Sequence, residues 1–216
     1  MIQHYLLNLE ATIKDKWDEP ALCFFQGEQF TFGQFAEHIA RFHLLFRENQ
    51  IAIGDKIALC AKNTARWAVS FLSVTTYGTV IVPILAEFHP DSVNNLVDHS
   101  DSVLLFTDKE IWNKLDPEKM PKLKAVINCD DFSLLFSRDK KLSADFAALD
   151  QSFAAAYPKG FSPDDMKFFT EDLKALSIIN YTSGTTSAPK GVMLSYENVS
   201  ASVSFAHNKI PVPQGA

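Results

Sequence analysis

The sequence predicts an α/β fold: a mostly parallel sheet flanked by helices on both faces. Three observations predict it. Between residues 56 and 128, short apolar runs alternate with helical patterns in the order strand–helix–strand–helix–strand. The runs Lys56–Ala61, Val80–Leu85 and Val103–Thr107 are almost wholly apolar rather than alternating, as strands covered on two faces are. The intervening helical stretches carry start and stop residues: Gly78 follows 64–77, and Pro90-Asp91-Ser92 opens 90–99.

Taken in order, residues 2–17 place Ile2, Tyr5, Leu6, Leu9 and Ile13 on one helical face. Residues 21–25 and 29–32 flank the turn Gln26-Gly27-Glu28 as a β-hairpin. Thr31 is placed to cap a helix over 33–48, with Phe35, Ile39, Phe42, Leu45 and Phe46 facing inward. After the alternating region, a short helix from Lys109 leads to a fourth strand over 123–128. Residues 146–157 read as a helix, and the charged run Arg138-Asp139-Lys140-Lys141 as a solvated turn. Residues 159–171, with Pro163 and several acids, read as a linker-like loop. That loop sets an expected division into an α/β subdomain over 1–165 and the start of a second subdomain over 166–216.

Composition bounds the function. The 216 residues are 47% hydrophobic and 21% charged, enough to bury a full core and incompatible with wholesale disorder. Twenty Lys+Arg against 26 Asp+Glu give a net charge of -6, which excludes a whole-surface nucleic-acid binder because neutralising phosphates needs a basic excess. Cys23, Cys60 and Cys129 are odd in number and far apart, as expected of a cytoplasmic, reducing setting. The start Met1-Ile2-Gln3-His4-Tyr5 lacks the basic and apolar regions of a signal peptide, and no apolar run reaches spanning length. At most peripheral membrane contact is expected.

The stretch that carries chemistry is 175–199, ALSIINYTSGTTSAPKGVMLSYENV. An apolar strand over 176–181 breaks into Thr182-Ser183-Gly184-Thr185-Thr186-Ser187-Ala188-Pro189-Lys190-Gly191, then resumes at Val192, and Ser195 can cap a helix from Tyr196. Hydroxyls, a glycine and free backbone amides at a strand end can form a concave nest for an anion, with Lys190 as a point charge. Ligands of open α/β sheets sit outside the carboxyl ends of strands, where this loop falls. It is no Walker A loop, because Lys190 leads into a β-like run instead of a helix. It is no nucleophile elbow, because Tyr181 stands where the first glycine belongs. Composition alone leaves a Ser/Thr-rich surface turn equally open.

The order of residues decides between them. Tyr181-Thr-Ser-Gly-Thr-Thr-x-x-Pro-Lys-Gly-Val192 resembles the signature loop of the adenylate-forming superfamily, which comprises acyl-CoA synthetases, luciferases and peptide-synthetase adenylation domains. Two departures stand out: Ser187 where the family usually has glycine, and Tyr196 where it often has histidine. Looser likenesses lie upstream at 30–35, 54–63, 77–84 and 98–106, so the resemblance covers nearly the whole chain. Asn63 followed by Arg66-Trp67 is similar to the long-chain fatty acyl-CoA synthetase branch.

The resemblance implies part of the large N-terminal domain of an acyl-CoA synthetase-like fold. It implies joining of a fatty acid carboxylate to ATP, supplied with Mg²⁺, giving an acyl-adenylate and pyrophosphate, then transfer of the acyl group to coenzyme A. Thr182, Ser183, Gly184, Thr185 and Thr186 would hold the β- and γ-phosphates, and Lys190 would help neutralise them. No catalytic residue and no metal ligand is assigned. The family's Mg²⁺-associated glutamate motif, adenine pocket and adenylation lysine are not found in 1–216, so an N-terminal fragment inactive alone is expected. Other adenylate-formers, an aryl-CoA ligase or a peptide-synthetase domain, and a non-catalytic nucleotide-binding module are the alternatives.

The remaining candidates read as structural. His4, His38, His43, His89, His99 and His207 have no metal-ligand spacing. Asp130-Asp131 and Asp164-Asp165 sit in turn contexts, and Trp17, Trp67 and Trp112 read as core or core edge. An unpaired sheet edge is expected at the 176–182 strand, inviting a homodimer.

Overall fold

A computed structural model describes residues 2–23, 29–182 and 189–209. The first helix, α1 (Tyr5–Asp15), is shorter than the 2–17 expected. Its N-cap is His4, whose Nδ1 accepts from Leu6 N at 3.3 Å and whose ring is buried against Tyr196. Strands β1 (Pro20–Cys23) and β2 (Gln29–Thr31) pair antiparallel, as the hairpin reading expects, while its turn at 26–28 lies outside the described residues. Helix α2 (Phe32–Glu48) starts on a reciprocal cap: Gln34 N donates to Thr31 Oγ1 and Thr31 N donates to Gln34 Oε1. All five expected inward residues are buried.

The alternating region forms as read. It runs β3 (Lys56–Cys60), α3 (Ala65–Tyr77), β4 (Val80–Pro83), α4 (Pro90–His99), β5 (Ser102–Thr107), the short α5 (Lys109–Trp112) and β6 (Ala125–Asn128). Gly78 ends α3 at φ 94°, and a side chain there would also meet the Phe169 ring at 2.9 Å.

Beyond β6 the structure corrects three expectations. Asp131 is a turn residue as read, accepting from Asn128 Nδ2 and Ser133 N, but the turn folds back an unforeseen strand, β7 (Leu134–Ser137). The 138–141 run is a helix start, not a plain turn: Asp139 Oδ1 accepts from Lys141 N and Leu142 N and caps α6 (Lys140–Ala147). The helix read over 146–157 is instead α7 (Leu149–Ala156), separated from α6 at Ala148. The break lets Leu142 reach the main core while Phe153 packs on Ala40 and Leu44 of α2.

Residues 157–175 are irregular, yet Met166 and Phe168 are buried in the main core, and Phe169 N donates to Thr76 O at 2.8 Å. The chain then forms β8 (Leu176–Thr182), β9 (Lys190–Ser195) and α8 (Tyr196–Lys209). Ser195 caps α8 as expected, with Asn198 N donating to Ser195 Oγ and Ser195 N donating to Asn198 Oδ1.

Seven strands form one sheet in the order β7-β6-β5-β3-β4-β8-β9. The five inner strands run parallel, and the two outer strands are antiparallel to their neighbours. Side chains alternate between faces. Ile57, Leu59, Ile81, Leu104, Phe106 and Ile127 pack beneath α2 and α3, while Ala58, Cys60, Val82, Leu105 and Val126 pack with Val93, Leu96 and Val97 of α4. The helices therefore cover both faces. The edge expected at β8 lies at β9 instead, because the chain doubles back and pairs antiparallel along β8. There Val192 and Met193 are 46% and 66% exposed.

Candidate functional site

Strand β8 is apolar at its start, where Ile178 pairs with Ile81 of β4, and polar at its end. Its last pairs with β9 are Tyr181↔Gly191 and Thr182↔Lys190. The proposed anion loop is thus the connection of a hairpin rooted at the carboxyl end of a parallel strand. Thr182 and Lys190, eight positions apart in sequence, stand directly opposite each other, and both are exposed. Ser183, Gly184, Thr185, Thr186 and the departure at Ser187 lie outside the described residues. Gly191 allows the strands to close, because a Cβ there would sit 2.7 Å from Ile179 Cγ2 and 3.4 Å from Tyr181 Cε1.

Beside this root a cleft of about 510 Å³ opens between the carboxyl ends of β3, β4 and β8. This is a place where crossovers leave the sheet on opposite sides, since β4 and β5 flank β3. One wall is apolar, made by Trp67, Pro83, Ile84, Leu85 and Phe88; Lys62, Asn63, Glu87 and Asn180 add polar groups. Trp67 stacks on Phe71 at 5.2 Å, so it serves the core as read and the cleft as well.

The 61–63 loop is tied down from the next strand. Asp108, at the end of β5, accepts from Lys62 N through Oδ2 at 2.9 Å. Burial raises the Asp108 carboxyl above its usual range, opposed by that amide. Lys62 Nζ lies 3.5 Å from Glu110 Oε2. Below the cleft, Cys60 Sγ contacts Leu85 O at 3.7 Å, and burial pushes its thiol up to about 12. Cys129 is likewise pushed up to about 12, so both stay neutral and unreactive near neutral pH. At the loop root, Tyr181 Oη lies 2.7 Å from His99 Nδ1, and burial raises the Tyr181 phenol.

The exposed Thr182–Lys190 pair at the hairpin root offers a polar surface beside the apolar Trp67–Phe88 wall, an arrangement suited to a ligand with an anionic and an apolar part. Among the described residues no group of three His, Cys, Asp or Glu is placed to hold a metal ion. Tyr196, at the family's histidine position, is fully buried and donates to Thr75 O at 2.5 Å, which makes it a link between α8 and α3. Sequence reasoning missed Asp108 and the His99–Tyr181 contact. For Asp108 the available signal was its place just past the end of a buried strand.

Comparisons with known proteins bear on the family and the fold. A family model described as AMP-binding enzyme matches residues 9–214. Long-chain-fatty-acid–CoA ligase 6 of Rattus norvegicus is 30% identical over 172 residues, covering 74% of this chain and 23% of the relative. 4-Hydroxybutyrate–CoA ligase 2 of Metallosphaera sedula is 27% identical over 189 residues, covering 87% and 33%. Among solved structures, the anthranilate CoA ligase AuaEII in complex with anthranoyl-AMP superposes with a TM-score of 0.68 at 18% identity, covering 88% of this chain and 34% of that one. ATP-bound MatB from Rhodopseudomonas palustris gives 0.65 at 20%, covering 93% and 37%. The chain spans between 23% and 33% of the length of these two curated relatives.

Proposed function

The chain belongs to the AMP-binding enzyme family, and from that premise we propose that it is the phosphate-holding part of an ATP-dependent fatty acid–CoA ligase. The observation that carries the reading is the hairpin root: Thr182 and Lys190 are paired at the carboxyl end of a parallel strand, beside a cleft with an apolar wall. In this reading Thr182, Ser183, Gly184, Thr185 and Thr186 donate to the β- and γ-phosphates of ATP. Lys190 neutralises part of their charge and keeps the pyrophosphate leaving group in line.

The reaction proposed for the full enzyme has two steps. The acid's carboxylate oxygen attacks the α-phosphorus, the bond to the β-phosphate oxygen breaks, and acyl-adenylate and pyrophosphate form. The coenzyme A thiol, losing its proton, then attacks the acyl carbon and expels AMP. Magnesium would arrive on the nucleotide phosphates. A fatty acid is favoured by the similarity to the rat long-chain ligase and by the Trp67, Ile84, Leu85 and Phe88 wall. Free Cys23, Cys60 and Cys129 support a cytoplasmic setting. The exposed β9 edge supports pairing with a second copy of this 216-residue chain.

Calorimetric titration of the chain with magnesium ATP and magnesium pyrophosphate tests the phosphate site. Binding is expected to weaken about tenfold, or about 1.4 kcal/mol, in Lys190→Ala and in Thr185→Ala. Binding unchanged by both substitutions refutes it.

A further inference from the structure

The carboxyl end of β8 is held unevenly. On one side it pairs with β9 through Thr182, but on the other its register with β4 is a single pair, Ile81↔Ile178. Beyond that pair, Ile179 and Tyr181 pack against the α4-side core, and Tyr181 adds a polar contact. Tyr181 Oη meets His99 Nδ1 at 2.7 Å, with the rings edge to face at 5.7 Å. Across the hairpin the phenol ring closes over Gly191.

The His99 side chain is exposed, and the helix end that carries it is firmly held. His99 ends α4, whose Val93, Leu96 and Val97 are buried under the sheet. The next turn is fixed by Ser100 N donating to Leu96 O and by a 2.7 Å contact between the hydroxyls of Ser100 and Ser102. A line of contacts therefore runs from the core through His99 and Tyr181 to the Thr182↔Lys190 pair. We propose that His99 is a positioning residue for the phosphate loop, acting through Tyr181 to fix where the hairpin root presents Thr182 and Lys190. This rests on the reading that the loop takes nucleotide phosphates.

The test uses the whole 216-residue chain. His99→Ala, Tyr181→Phe, their double variant and His99→Asn are compared, the last because an asparagine Oδ1 can accept near the site of Nδ1. Two quantities are read: affinity for magnesium pyrophosphate, and amide exchange at Thr182, Lys190 and Gly191. Each single loss is expected to weaken binding about three- to tenfold, the worth of one hydrogen bond. The double variant should be no worse than either single, and His99→Asn should recover most of the affinity. Exchange at the three amides should rise in the same order while β3 amides stay protected. Additive singles, or an asparagine variant no better than alanine, overturn the proposal. If the parent chain binds no pyrophosphate, the phosphate reading fails; the exchange order then by itself supports or overturns the positioning role.

Discussion

Replacing Gly191 with alanine adds one methyl group at the tightest point of the loop root. Its carbon would lie 2.7 Å from Ile179 Cγ2, against about 3.5–4.0 Å for a relaxed carbon–carbon contact, so roughly 1 Å of movement is demanded. Ile179 resists, because β-branching stiffens its χ1 and its side chain packs against the α4-side core. Gly191 is not among the positive-φ glycines, so the cost is steric and not conformational. Overpacking of this kind costs about 1–3 kcal/mol, while restricting the unfolded chain offsets about 0.4–1 kcal/mol. The net expectation is a loss of about 1–2 kcal/mol, seen as a Tm lower by about 2–8 °C for a chain of this size. Differential scanning calorimetry reads the stability and titration with magnesium pyrophosphate reads the site. Ile179→Ala in the Gly191→Ala background should recover part of the lost affinity, since it vacates the space the methyl needs. Unchanged Tm and unchanged binding in Gly191→Ala would refute the close-approach argument.

Tyr196→Phe deletes a hydroxyl that donates to Thr75 O and should cost about 1 kcal/mol, whereas Tyr196→Ala should cost about 3–5 kcal/mol, both measured by urea unfolding. His43 is half-buried with Nε2 3.1 Å from Ser73 O, and the loss of solvent around its ring lowers its pKa from 6.5 to about 4. The unfolded chain therefore takes up the proton first as the medium acidifies. Stability is full above pH 6.5 and falls as pH drops towards 4, by about 3 kcal/mol. His43→Gln should flatten that part of the urea midpoint–pH curve. Met193→Lys on β9 should lower self-association in sedimentation experiments, because a charge on an exposed edge strand opposes pairing.

Much of the fold was legible because its signals are local. The near-uniform apolar runs marked the inner parallel strands, and Thr31, Gly78 and Ser195 marked helix ends by hydrogen bonds that span three or four residues. Strand β7 was hidden because its four residues are all half-buried at an edge and show no alternation. The α6–α7 break was hidden because Leu142 and Phe153 serve different clusters, a distinction absent from helical periodicity. In the site, the motif order placed Thr182 and Lys190 in one loop, and the hairpin register put them face to face.

The sequence by itself determined the α/β class, the family likeness and the loop rooted at residues 182 and 190. These follow from residue types at short fixed spacings, which set propensity, capping and motif chemistry. Tertiary structure decided which strands neighbour each other, and so that β9 rather than β8 forms the edge. It also decided that Asp108 holds Lys62 N across 46 residues and that His99 meets Tyr181 across 82. Such pairings depend on how buried faces and crossovers are satisfied together over the whole chain, and no local pattern encodes them.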